Sequence, residues 1–140
     1  MSRSTLLSLS LVTATSLAVV SLPATPAYAD GVTSHSASAY GCTITAHGSW
    51  RSAANTFTFY ATGSCGANRF GVLRCWPVHR HTLYWHNHEG DARRTSVNGR
   101  SFRLPAKTVH GTNGDTYKIN CKYQWDSNRS VGVETRGFTL

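Results

Sequence analysis

The chain is 140 residues long, carries 14 Lys and Arg against 6 Asp and Glu for a formal net charge of +8, and has four cysteines. That length, less a leader, excludes two independently cored domains. The charge favours anionic partners such as nucleic acid, acidic wall polymer or lipid headgroup without choosing among them. No C-x-x-C pair occurs and the cysteine spacings are wide, which argues against a zinc site and for two disulfides formed in an oxidising compartment.

Met1-Ser2-Arg3 supplies a short basic start, Leu6 to Leu22 is apolar with small hydroxylated residues, and Ala27-Tyr28-Ala29 precedes Asp30. This pattern predicts a cleaved secretory signal peptide over residues 1–29, hence a secreted, extracellular protein with no integral membrane segment after cleavage. Removing 29 of 140 residues leaves 111, and loss of Arg3 leaves a charge of +7. Asp30 to Gly41 is small and polar without apolar periodicity, so residues 30–41 are expected to form a flexible N-terminal arm. Docking of that arm would use His35 and Tyr40 as its contacts to a partner. Residues 42–140 then form a single β-domain.

Cys42 to Cys65 reads as a hairpin. Cys42, Ile44, Ala46, Gly48 and Trp50 share one face of its first strand, and Phe57, Phe59, Ala61, Gly63 and Cys65 share one face of its second. The register that closes a loop over Arg51 to Thr56 also places Cys42 opposite Cys65. Cys75–Cys121 follows by elimination. Gly66-Ala67-Asn68 is expected to turn the chain into a strand from Arg69 to Trp76, which Pro77 ends or bends. Val78 to Asn87 is a further strand candidate. Asn98-Gly99 between Arg94–Val97 and Arg100–Leu104 predicts a two-residue hairpin turn, ended by Pro105. Asp115 to Trp125 alternates strictly, with Tyr117, Ile119, Cys121, Tyr123 and Trp125 inward and Lys118, Asn120, Lys122 and Gln124 outward. Asp126-Ser127-Asn128 turns into a last strand from about Val131 to Leu140. About eight short strands without an amphipathic helix predict an all-β fold: a small antiparallel β-sandwich or barrel with two disulfides.

Cys75, Trp85 and Asp115-x-Tyr117 before Cys121 loosely resemble an immunoglobulin-like sandwich, in which cysteines on the two sheets bracket a core tryptophan. The tyrosine of that pattern falls two residues before the second cysteine, where this chain has Ile119. Gly41-Cys42-Thr43-Ile44-Thr45-Ala46, Gly63-Ser64-Cys65 and Tyr117-x-x-x-Cys121 resemble small secreted β-proteins of actinomycetes. One group of these is the adaptor subunit of umbrella toxin particles, which links a lectin-like subunit to the toxin stalk. That resemblance implies a role as an adaptor in a secreted toxin assembly.

His79-x-His81 and His86-x-His88 are weak metal-ligand candidates, because residues two apart on a strand share a face. On one continuous strand over Val78 to His88 the two pairs point to opposite faces, so no metal site is expected, and no cofactor. No G-x-S-x-G, H-E-x-x-H or phosphate-loop motif occurs, and paired cysteines leave no thiolate nucleophile. Catalysis is therefore not expected. Trp50 and Trp125 have core parity, whereas Trp76 lies opposite to Cys75 and is the tryptophan expected to be exposed. Lys118 and Lys122, near Arg93, Arg94, Arg100 and Arg103, form a basic patch without a nucleic-acid motif. The expected function is a secreted non-catalytic interaction module that binds secreted proteins through His35, Tyr40, Trp76, Lys118 and Lys122. Weak polyanion contact and no specific nucleic acid are expected. A small cationic antibacterial or nuclease toxin is the alternative.

Overall fold

The structure, a computed structural model, describes residues 30–140. The expected signal peptide lies outside the described residues. In chain order the strands are β1 (Gly31–Ala39), β2 (Cys42–Arg51), β3 (Thr56–His81), β4 (Tyr84–Asn87), β5 (Arg93–His110), β6 (Thr116–Asp126), β7 (Arg129–Glu134) and β8 (Phe138–Thr139). Every pairing is antiparallel. The sheet runs β1-β2-β3-β6-β7, with β4 and β5 on the other edge of β3 and β8 beside β6. Contact between β1 and β7 brings the sheet close to a closed barrel.

The axis of the molecule is β3, with 26 residues. One edge of β3 pairs β2 over Thr56–Cys65 and then β6 over Val72–Arg80; its other edge pairs β5 and finally β4. A strand this long must bend to stay on a curved sheet, and register shifts against β5 supply the bends. Here two expected turns prove to be something else. Between Ser64↔Ser101 and Arg69↔Gly99, β3 places residues 65–68 where β5 has only Arg100. The turn expected at Gly66-Ala67-Asn68 and the hairpin expected at Asn98-Gly99 are thus the two sides of one bulge, at the point where β3 changes partner from β2 to β6. Gly99 keeps the positive φ (142°) that marked it as a turn residue.

Pro105, expected to end its hairpin, and Pro77, expected to end or bend its strand, both lie inside strands. Pro105 and Ala106 face Tyr60 alone in a second register shift, where a missing donor is tolerated. Pro77 is fully buried and faces Ile119. Its carbonyl accepts the His88 N–H at 2.9 Å. Because the two backbone polar groups of a strand residue point the same way, its missing N–H falls between the end of the β5 ladder at Cys75 and the start of the β4 ladder at Val78.

The segment expected as a flexible arm is instead β1, paired with β2 from Gly31↔Trp50 to Ala39↔Cys42. Its serines serve the ladder: Ser36 and Ser38 share hydrogen bonds with Thr45 (2.7 Å) and Thr43 (2.6 Å) on the outer face. Tyr40 and Gly41, both at positive φ, form the connecting turn.

The hairpin register is as expected, from Cys42↔Cys65 to Arg51↔Thr56. Ile44, Phe57, Phe59, Leu73, Tyr117, Ile119 and Tyr123 fill the interior with Val131, Val133, Phe138 and Leu140. The disulfides Cys42–Cys65 and Cys75–Cys121 both form, each between directly facing residues of neighbouring strands. That departs from the immunoglobulin-like pattern, whose disulfide crosses between sheets. Its core tryptophan is missing as well, since Trp85 is 40% exposed. Two disulfides are characteristic of an extracellular or otherwise oxidising environment. No helix among the described residues is long and apolar enough to cross a membrane.

Candidate functional site

Alternation along β3, β5 and β6 sends one set of side chains outward beside the second disulfide. Arg74 faces Arg94 on one side and Lys122 on the other; Trp76 faces Asn120 and Val72 faces Gln124. With Phe70, Gly71, Trp125 and Asp126, these residues other than Asn120 line an open groove with a volume of about 590 Å³. The groove combines three cations with three aromatic rings. Arg74 pairs with Glu89, and its guanidinium lies 5.2 Å from the centre of the Trp76 ring. Arg69 lies 5.8 Å from the Trp125 ring centre. The indole N–H groups of Trp76 and Trp125 have no hydrogen-bond partner among the described residues. Phe70 is 72% exposed on the rim. Gly71 provides the close approach: a Cβ there would meet the Gln124 carbonyl oxygen at 2.5 Å.

Of the expected contact residues, Trp76 and Lys122 meet in this groove. Lys118 points to the same outer face but is engaged elsewhere, 2.7 Å from Glu134 and 4.4 Å from the Trp85 ring centre. Tyr40 is exposed at the β1–β2 turn, with its ring 6.2 Å from that of Trp125, so it neighbours the groove from a different strand pair. His35 lies exposed on β1, opposite Ala46. Trp76 is half-buried, and the most exposed tryptophan is Trp85. Of the four arginines grouped with the lysines, Arg94 joins the groove, whereas Arg103 stands 4.8 Å from the Tyr60 ring in the other half of the sheet.

The histidines differ most from expectation. Val78 to Asn87 is a hairpin, with the chain reversing at Thr82-Leu83 so that His79 faces His86 and His81 faces Tyr84. Strand reversal changes the parity rule, and all four histidines fall on one face. The sequence offered no turn signal there: Thr82 adopts φ 70° without glycine or asparagine. The ring centre of His79 lies 4.2 Å from that of His88, 5.5 Å from that of His86 and 5.9 Å from that of Tyr117. His88 Nε2 and His79 Nδ1 are in direct hydrogen-bond contact. His88 Nδ1 lies 3.8 Å from Asp91, and His81 Nδ1 lies 3.3 Å from Asp115. Partial burial holds the His79 pKa below the ordinary histidine value; neighbouring His88, His86 and His81 push the same way and Asp115 opposes them. Among the described residues no three His, Cys, Asp or Glu side chains already stand in a metal-holding arrangement.

No protein-family model, no curated protein and no solved structure matches this chain.

Proposed function

We propose that the chain is an exported, non-catalytic interaction module that engages a partner protein in the groove between β3, β5 and β6. The observation that carries this reading is the grouping of Phe70, Trp76 and Trp125 with Arg74, Arg94 and Lys122 around one open concavity. Large aromatic rings and arginine supply much contact energy at protein interfaces, because they bury broad surface around a few charge-assisted hydrogen bonds. The cations favour an acidic segment on the partner. The setting we propose is a secreted assembly in which the domain joins other subunits, as the resemblance to the adaptors of umbrella toxin particles implies.

The test is a paired capture from culture medium, using the tagged wild-type domain and a Trp76→Ala/Lys122→Glu variant with an unchanged unfolding midpoint. A secreted protein held by the wild type and lost with the variant supports the reading. Equal recovery by both removes the groove as the docking site.

A further inference from the structure

The corner where β3 turns into β4 holds an arrangement that docking in the groove does not use. His79, His86 and His88 lie on one face of the hairpin, and the buried Tyr117 ring stacks against His79. His79 is on β3 and is held there by a ladder partner on each side, His86 and Tyr117. His88 follows β4, with its N–H bound to the Pro77 carbonyl. All three imidazoles therefore stand on backbone held by strand pairing.

The nitrogens, not just the rings, are aimed at each other. His88 Nε2 meets His79 Nδ1 directly, so in neutral rings a proton shared between two nitrogen lone pairs holds the contact. A metal ion can take the place of that proton and use both lone pairs at once. The second nitrogen of His88 faces the Asp91 carboxylate at 3.8 Å. A carboxylate behind the non-ligating nitrogen is the usual outer partner of a metal-bound histidine, since it fixes the tautomer and makes the ring a better donor. Asp91 is itself held by Lys107 at 3.4 Å.

We propose that His79, His88 and His86 form a binding site for a divalent transition-metal ion of the zinc type, with Asp91 as the outer partner of His88. An all-imidazole set suits zinc, nickel or copper and discriminates against magnesium and calcium, which need oxygen ligands. The three donors do not converge on one point in the structure. His86, exposed on the edge strand β4, completes the set by rotating its side chain toward the His79–His88 pair. His81 is left out, because its side chain is 70% exposed and turned to Asp115, away from the His79–His88 pair. Binding moves the shared proton to the other nitrogen of the ring that held it, so each ligand stays a neutral imidazole with one N–H.

Isothermal titration of chelator-stripped protein with zinc chloride at neutral pH is the test. One ion binds per chain, and magnesium at a large excess does not compete. His79→Ala and His88→Ala each lower affinity by more than about tenfold, and Asp91→Asn lowers it by about ten- to a hundredfold. His86→Ala weakens binding, whereas His110→Ala, at the far end of β5, leaves it unchanged. Should His79→Ala unfold, the exposed His86 variant still decides the matter, because nothing in the core depends on it. Absence of binding heat, binding that survives both His86→Ala and His88→Ala, or equal loss with His110→Ala overturns the proposal.

Discussion

Removing the disulfides one at a time tests whether the fold is held as the topology implies. Each bond joins residues that already face each other in a ladder, so cutting it leaves the register in place and acts chiefly on the unfolded chain. Cys42–Cys65 closes a sequence separation of 23 and Cys75–Cys121 one of 46. On the loop-entropy description these correspond to about 3.4 and about 4.0 kcal/mol at 25 °C. The two loops do not overlap, so the contributions should add to about 7 kcal/mol, a large share of the ~5–15 kcal/mol that holds a domain. Alanine is the right replacement, since serine would bury a hydroxyl at Cys75 and Cys121, which are 0% and 2% exposed. Guanidinium unfolding of Cys42→Ala/Cys65→Ala, Cys75→Ala/Cys121→Ala and the fourfold variant provides the measurement. Both paired variants fold with reduced midpoints, the second reduced at least as much as the first, and the fourfold variant is mostly unfolded at 37 °C. A first pair costing more than the second by over about 1 kcal/mol, or a fourfold variant as stable as either pair, refutes the loop-entropy account.

Gly71→Ala drives a Cβ into the Gln124 carbonyl oxygen and should cost about 1–3 kcal/mol or more, read as a lowered urea midpoint; an unchanged midpoint contradicts the close approach. Thr135 is 3% exposed and its Oγ1 accepts the buried Ile119 N–H at 3.0 Å, so Thr135→Val should cost about 1–3 kcal/mol by the same assay. His47 also titrates below the ordinary histidine value, through burial first and Arg103 second. Between its lowered folded pKa and about 6.5 the unfolded state binds more protons, so stability is full above that window and falls as pH drops through it. Denaturation curves from pH 7.5 to 5 should show this loss, and His47→Gln should reduce it. Retention on heparin should disappear below about 0.5 M salt, because the cations of the groove offer charge without a base-reading motif.

Where apolar alternation was strict, the sequence was legible. The Cys42–Cys65 hairpin and the inward set of β6 from Tyr117 to Tyr123 are plain from parity and the facing cysteines, since a one-residue slip would turn Ile44 or Phe59 out of the core. Legibility failed where a residue type serves two backbone purposes. Gly66-Ala67-Asn68 and Asn98-Gly99 are rich in turn formers, yet here they relieve the curvature of a ribbon, which local chemistry cannot distinguish from reversal. β1 escaped notice because a strand lying along β2 needs backbone partners and small hydroxyls more than apolar residues. Trp76 and Lys122 were readable as outward, but their meeting with Arg94 and Trp125 depends on ladders between distant segments. The histidine corner was hidden by a reversal at Thr82-Leu83 that no glycine announced.

The ribbon of β3 with β4 and β5 also bears on how the chain reaches its fold. Its first ladder rungs, from His81↔Tyr84 to Val78↔Asn87, close the shortest loop, and each later rung toward Thr56↔His110 joins residues further apart. Loop-closure entropy is therefore met once, at the tip, after which pairing can proceed rung by rung. β2 and β6 then find an edge already laid down for them along β3. The exposed reversal at Thr82-Leu83, remote from the core, thus governs how quickly the longest ladder in the molecule begins to form.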